Sequence, residues 1–153
     1  MSLPAEHPVE PICFAAPILA WVVAQMTKML ISFVKTRRLD FSYMVSTGGM
    51  PSAHSAMASG LASAIGLVCG FASPTFAVAL AFALVVMFDA STVRRAAGLQ
   101  ARLLNELVDE LFKEHRFSEK KLAELLGHTR LEVLMGAIIG ILVALELRSI
   151  FPP

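Results

Sequence analysis

Charge is scarce in this chain. Only 16% of its 153 residues are Asp, Glu, Lys or Arg, while 56% are hydrophobic. Soluble domains carry about 25% charged and roughly 45–50% apolar residues, so both deviations point to a membrane. With only two cysteines, Cys13 and Cys69, the sequence has no disulfide framework, and neither thiol stands in a metal-ligand spacing. Both lie in apolar surroundings and read as small buried hydrophobes; a single bridge between them stays open. The net charge of +1 lacks the basic excess of a nucleic-acid binder, so no nucleic-acid partner is expected. The start of the chain carries Glu6, His7 and Glu10 but no Lys or Arg. It lacks the positive region of a secretory signal, and the first apolar segment reads as retained. No low-complexity segment or repeat is present.

What is abundant is apolar run length. A membrane-spanning helix needs about 20 mostly apolar residues. Four segments approach this: Pro11–Val34, interrupted by Gln25 and Lys28, then Ser52–Phe71, Pro74–Ala90 and Leu131–Phe151. The turn from Gly70 to Pro74 is short, and Pro74 suits a first helical position, so the second and third segments form a tight hairpin. The other two connections, Lys35–Gly49 and Ser91–Arg130, are long and polar. In the latter, Leu103, Leu104, Leu107, Val108, Leu111 and Phe112 recur at helical spacing, and Leu122, Leu125 and Leu126 resume the pattern after Arg116–Ser118. One or two amphipathic helices therefore lie on the membrane surface or pack on the bundle. The expected fold is an all-α integral membrane bundle of about four transmembrane helices. It forms a single domain over residues 1–153 with an amphipathic insertion at about 99–127.

Basic residues set the orientation. Eleven lie in the two long connections, and only Arg148 lies on the opposite side. The positive-inside rule places the connections in the cytoplasm and both termini on the other face. Ser52, Ala56, Gly60 and Ala64 form a small-residue stripe, and Gly136 with Gly140 a second one. Such faces let helices approach closely in lipid.

Two histidines stand where helices begin. The first follows Gly48-Gly49-Met50-Pro51-Ser52-Ala53, a tight turn with Pro51 in the first helical turn and His54 behind it. The second, His128, precedes Thr129 and Glu132, which read as a capping box. Helix N-termini favour anions, phosphate above all, and keep an imidazole neutral and nucleophilic. Lys28, Arg37, Arg38, Arg94 and Arg95 are available to surround an anion. Lys28 interrupts a span, which marks a functional position. Asp89 ends an apolar run before an arginine pair, where it is a site candidate or a salt-bridge partner for Arg94 or Arg95. Taken singly, each has a bland reading as an interface anchor, topology signal or cap; together they suggest phosphoryl chemistry.

Pro51-Ser52-Ala53-His54 resembles the Pro-Ser-Gly-His motif of the type 2 phosphatidic acid phosphatase superfamily, which includes the vanadium haloperoxidases. His128, Glu132, Gly136-Ala137 and Gly140 resemble that family's last motif. The strings Gly-Gly-Met-Pro-Ser-Ala-His-Ser-Ala, Val-Arg-Arg-Ala-Ala-Gly-Leu-Gln-Ala and Glu-Leu-Leu-Gly-His-Thr are similar to its divergent branch, from about Gln25 to Gly140. The resemblance implies a phosphatase that needs no metal and no cofactor. His128 would attack phosphorus, Glu132 would orient its ring, and His54 would act as acid and then base. Ser52 would bind phosphate oxygens, and Lys28 with the arginines would neutralise charge.

The sequence departs from the family pattern in four places. Lys35 stands where the first motif has Arg, and Leu122 stands where the third motif has Arg. Ala53 replaces Gly in the second motif, and Glu132 replaces Asp in the last. Which of Arg37, Arg38, Arg94 and Arg95 binds phosphate stays open. The implied substrate is a lipid phosphate in contact with membrane lipids, with phosphatidylglycerophosphate the best guess. The alternative is an inactive member that binds anionic lipid or a membrane partner. Four spans are fewer than the superfamily's usual six helices. Either the amphipathic helices complete the bundle or two chains associate as a homo-oligomer.

Overall fold

The computed structural model describes residues 10–37, 49–111 and 127–152. These residues form five helices: α1 (Ile12–Thr36), α2 (Ala53–Cys69), α3 (Pro74–Ser91), α4 (Val93–Leu111) and α5 (Arg130–Ile150). No strand occurs among the described residues. The all-α membrane bundle expected from the sequence is what the chain forms.

Three helices, α1, α3 and α5, are long and apolar enough to cross a membrane. α2 has 17 residues, the lower end of the spanning range. It is enclosed by α1, α3 and α5, which explains its composition. Its buried residues are Ala, Ser and Gly, which let three neighbours approach its backbone. Large side chains point the other way. Val78, Phe82, Val85 and Phe88 of α3 are 55–72% exposed. A helix with a small-residue interior and large apolar groups outside is built to face lipid tails.

The close approaches define the helix directions. Ser52 N–H donates to the Glu132 carbonyl at 3.0 Å, and Ser59 Oγ donates to the Ala137 carbonyl at 3.0 Å. Deeper in the bundle, Ala64 and Ala144 share a buried cluster with Ile12 and Ala16. So α2 and α5 run parallel, and α1 runs antiparallel to both. Gly60 sits against Ala16 and Ala20 of α1. A methyl on Gly136 would collide with the Ser52 carbonyl, and one on Gly140 with the Ala56 carbonyl and Ser59 Oγ. Both small-residue stripes are contact faces, as the sequence suggested.

Local signals end the helices. Ser73 caps α3 by accepting the Phe76 N–H at 3.1 Å, with Pro74 opening the helix. Gly70, at φ 85°, turns α2 into it. α1 stops at Arg37, whose left-handed backbone (φ 55°) directs its N–H to the Phe33 carbonyl. At the far end Arg148 pairs with Glu10 at 2.6 Å, tying the end of α5 to the start of α1. Cys13 and Cys69 are free and only half-buried, less enclosed than the buried hydrophobes expected. α4 is longer toward its start than the leucine pattern indicated, and it touches only α3 among the described helices. It therefore does not pack across α1, α2 or α5. Phe112, Arg116–Ser118, Leu122, Leu125 and Leu126 lie outside the described residues.

Candidate active site

The parallel pairing of α2 and α5 brings their N-termini together at the end of the bundle where α3 finishes. Thr129 Oγ1 accepts the Glu132 N–H at 3.3 Å, and the Glu132 carboxylate accepts the Thr129 N–H at 2.9 Å. This is the expected capping box, and it fixes the Glu132 side chain back toward the helix start. The same carboxylate oxygen lies 3.1 Å from His128 Nδ1. An ionised carboxylate only accepts, so Nδ1 is the donor of this pair, and in the neutral ring Nε2 is then the unprotonated nitrogen. His128 is 3% exposed. Its backbone N–H donates to the Ala90 carbonyl at 3.1 Å, so the end of α3 holds the histidine's main chain while α5 holds its ring.

The opposing half of the site comes from α1 and α2. Lys28 is 3% exposed and lies within electrostatic reach of Glu132. Gly49, at φ 88°, folds over the lysine stem; a methyl there would touch Lys28 Cδ at 3.8 Å and Cγ at 3.9 Å. Glycine is required at such a backbone angle. Ser52 caps α2: its Oγ accepts the Ser55 N–H at 3.4 Å and the Ser55 hydroxyl at 3.0 Å. Since Ser52 is the cap, Pro51 lies one residue before it and outside the first turn where the sequence reading had placed it. His54 occupies the first turn of α2 and is exposed, in contrast to the buried His128.

Lys28, Ser52, Glu132 and His128 are thus brought together, and His54 stands two residues from Ser52. Arg37 ends α1, Arg95 is exposed on α4, and Asp89 is half-buried in the last turn of α3. Arg94 lies in α4, and Arg38 lies outside the described residues. Sequence reasoning missed Ser55, although its position three residues after the Ser52 cap is a local signal. It also missed Ala90, whose carbonyl role is a long-range backbone contact with no side-chain signature. An apolar groove of about 370 Å³ follows Val22, Met26, Met29 and Phe33 on α1. It lies on the face of that helix opposite Lys28 and is separate from the polar cluster.

Comparison with known proteins matches residues 9–143 to the family described as "Divergent PAP2 family". A relative from Bacillus subtilis (strain 168), described as "Uncharacterized membrane protein YuiD", is 42% identical over 143 residues. The match covers 86% of this chain and 90% of the relative. No solved structure matches the chain.

Proposed function

From the premise that the chain belongs to the Divergent PAP2 family, we propose that it is a metal-independent lipid-phosphate phosphatase working through a phosphohistidine. The carrying observation is the 3.1 Å contact between His128 Nδ1 and Glu132 at a capped helix N-terminus, with the Lys28 charge beside it. In this reading the ring is neutral, Nδ1 is held by Glu132 and Nε2 serves as the nucleophile.

In this reading Nε2 of His128 attacks phosphorus, and the bond from phosphorus to the lipid alkoxide breaks. His54 gives its proton to that alkoxide, and its exposure suits a group that must trade protons with solvent. His54 then takes a proton from water as the water oxygen attacks phosphorus. The P–N bond breaks, and inorganic phosphate leaves. Ser52, Lys28 and an arginine among Arg37, Arg38, Arg94 and Arg95 bind the phosphoryl oxygens. An entering phosphate replaces the contacts that Lys28 makes in the resting state.

The eleven basic residues of the long connections support a cytoplasmic position for this end of the bundle in the proposed reading. There a headgroup can enter the site while its acyl chains stay in the bilayer. Phosphatidylglycerophosphate, a phosphomonoester on glycerol, is the substrate proposed first; phosphatidate and polyprenyl phosphates are the comparison set.

The test is phosphate release from each lipid in detergent micelles, with and without vanadate. The intact protein should hydrolyse at least one of them and be inhibited by vanadate, and His128→Ala should be inactive. Full activity in His128→Ala would remove the mechanism. A non-catalytic, lipid-binding role is favoured by one observation: Lys28 and His128 are each only 3% exposed. Binding of these lipids without turnover of any would select that role.

A further inference from the structure

α4 presents three different surfaces around its circumference. Val93, Leu103, Leu104, Leu107 and Val108 are 44–60% exposed, and at 3.6 residues per turn they fall within an arc of about 140°. Gln100 is a polar interruption of that arc. On the side away from it Gly98 and Asn105 are buried, with Asn105 only 8% exposed. Arg95, Arg102 and Glu106 form a third, exposed sector, where Arg102 Nε lies 3.2 Å from the Glu106 carboxylate. A helix that caps a bundle buries its leucines and turns its polar side to water. α4 does the reverse: its buried line runs through a glycine and an asparagine, and its leucines face out.

We propose that the apolar face of α4 docks in the acyl layer of the leaflet nearest the candidate site, with the helix lying along the interface. The order of the three sectors fits that setting: the apolar and charged sectors lie on opposite sides, and the buried line runs between them. Such a helix has lipid below, water above and protein beside it. Its apolar surface also continues one already turned to lipid. Val85 and Phe88 of α3 are each 67% exposed, and Val93 opens the apolar sector five residues later. The break between the helices falls at Thr92, where φ −120° and ψ −72° leave helical values and let α4 depart from the α3 axis. The apolar arc is wider than the narrow seam through which two helices zip together, which favours lipid over a second copy of the chain. Hydrocarbon is the partner, and headgroup charge is not: Arg94, Arg95 and Arg102 are balanced along α4 by Glu106, Asp109 and Glu110. Val93 follows Ala90, whose carbonyl holds the His128 main chain, by three residues, so the docked helix sets the site at the level of the headgroups. This docking requires the membrane bundle and no particular chemistry at His128.

The experiment uses full-length protein in phosphatidylcholine bilayers, with Trp21, its only tryptophan, changed to Phe. Leu103→Trp and Leu107→Trp are read separately against Arg102→Trp, and thermal melts confirm that each variant is folded. The quenchers are aqueous iodide and phosphatidylcholine brominated either near the headgroup or near the chain end. Leu103→Trp and Leu107→Trp should emit to the blue of Arg102→Trp, lose most iodide quenching and respond best to the bromine near the headgroup. Adding anionic lipid should change none of this. Stronger quenching by bromine at the chain end would mean that α4 continues across the bilayer, which overturns the proposal. Iodide quenching equal to that of Arg102→Trp would overturn it too, because the face would then be in water. So would shielding from both quenchers with efficient crosslinking of Leu103→Cys between chains in a Cys13→Ser/Cys69→Ser background, which would make a second copy the occupant.

Discussion

Gly136→Ala is the perturbation whose outcome can be worked furthest from the structure. The missing Cβ of Gly136 points straight at the Ser52 carbonyl, with Ser55 Cβ beside it. The obstructing atom is backbone, so no side-chain rotation relieves it. α2 and α5 must separate by on the order of 1 Å at the end where the site lies. That shift stretches the 3.0 Å bond from Ser52 N–H to the Glu132 carbonyl, a backbone bond that joins the two helix starts. Overpacking a tight contact costs about 1–3 kcal/mol, which a membrane bundle can survive. A displacement of about 1 Å between catalytic groups costs roughly 100-fold in rate. The expected result is a folded protein with a modestly lowered unfolding midpoint and turnover reduced about 100-fold. Gly140→Ala is the control. It collides with α2 one turn deeper, at the Ala56 carbonyl and Ser59 Oγ. It should cost similar stability and spare more of the turnover. The assays are circular dichroism melts and phosphate release in the same detergent. Wild-type stability and turnover in Gly136→Ala would refute the close approach of the two helix starts. Equal loss of turnover in both variants would show that the effect is general loosening and does not arise at the site.

Thr129→Ala removes one half of the capping box, and it should lower stability by about 1 kcal/mol. Turnover should fall modestly with it, because the helix start that carries Glu132 loses a cap while the Thr129 backbone N–H still holds the carboxylate; a melt and a rate measured together check both. Ser59→Ala deletes the hydroxyl that reaches the Ala137 carbonyl at 3.0 Å. It should cost about 0.6 kcal/mol with turnover unchanged, and a parallel fall in turnover would mean that Ser59 belongs to the site. Cys13 and Cys69 lie at the end of the bundle where Glu10 meets Arg148. In intact cells a membrane-impermeant maleimide should label them from outside, whereas labelling only in inverted vesicles would reverse the proposed orientation.

The readable features were the local ones. The Thr129–Glu132 box, the Ser73–Pro74 helix start and the Gly70 turn each depend on residues within four positions of one another. Their chemistry is printed in the sequence. The small-residue stripes were legible because tight packing in lipid leaves few residue types to choose from. The pairing of those stripes was not. Nothing local says that Gly136 meets Ser52, or that α2 runs parallel to α5. The Ala90 carbonyl that holds His128 is a backbone group and leaves no trace in residue type. Lys28 announced itself as a charge inside a span, but Glu132, the carboxylate within its electrostatic reach, is more than 100 residues away. The Pro51 placement erred by two residues, because Ser52 takes the cap and the helix begins at Ala53.

The central claim is that His128 carries the phosphoryl group. It is tested most directly by rapid acid-free quenching of the protein with a ³²P-labelled lipid phosphate, followed by peptide mapping. The account predicts a base-stable, acid-labile phosphohistidine on the peptide containing His128, absent in His128→Ala. Turnover with no labelled histidine, or label on any other residue, would contradict it.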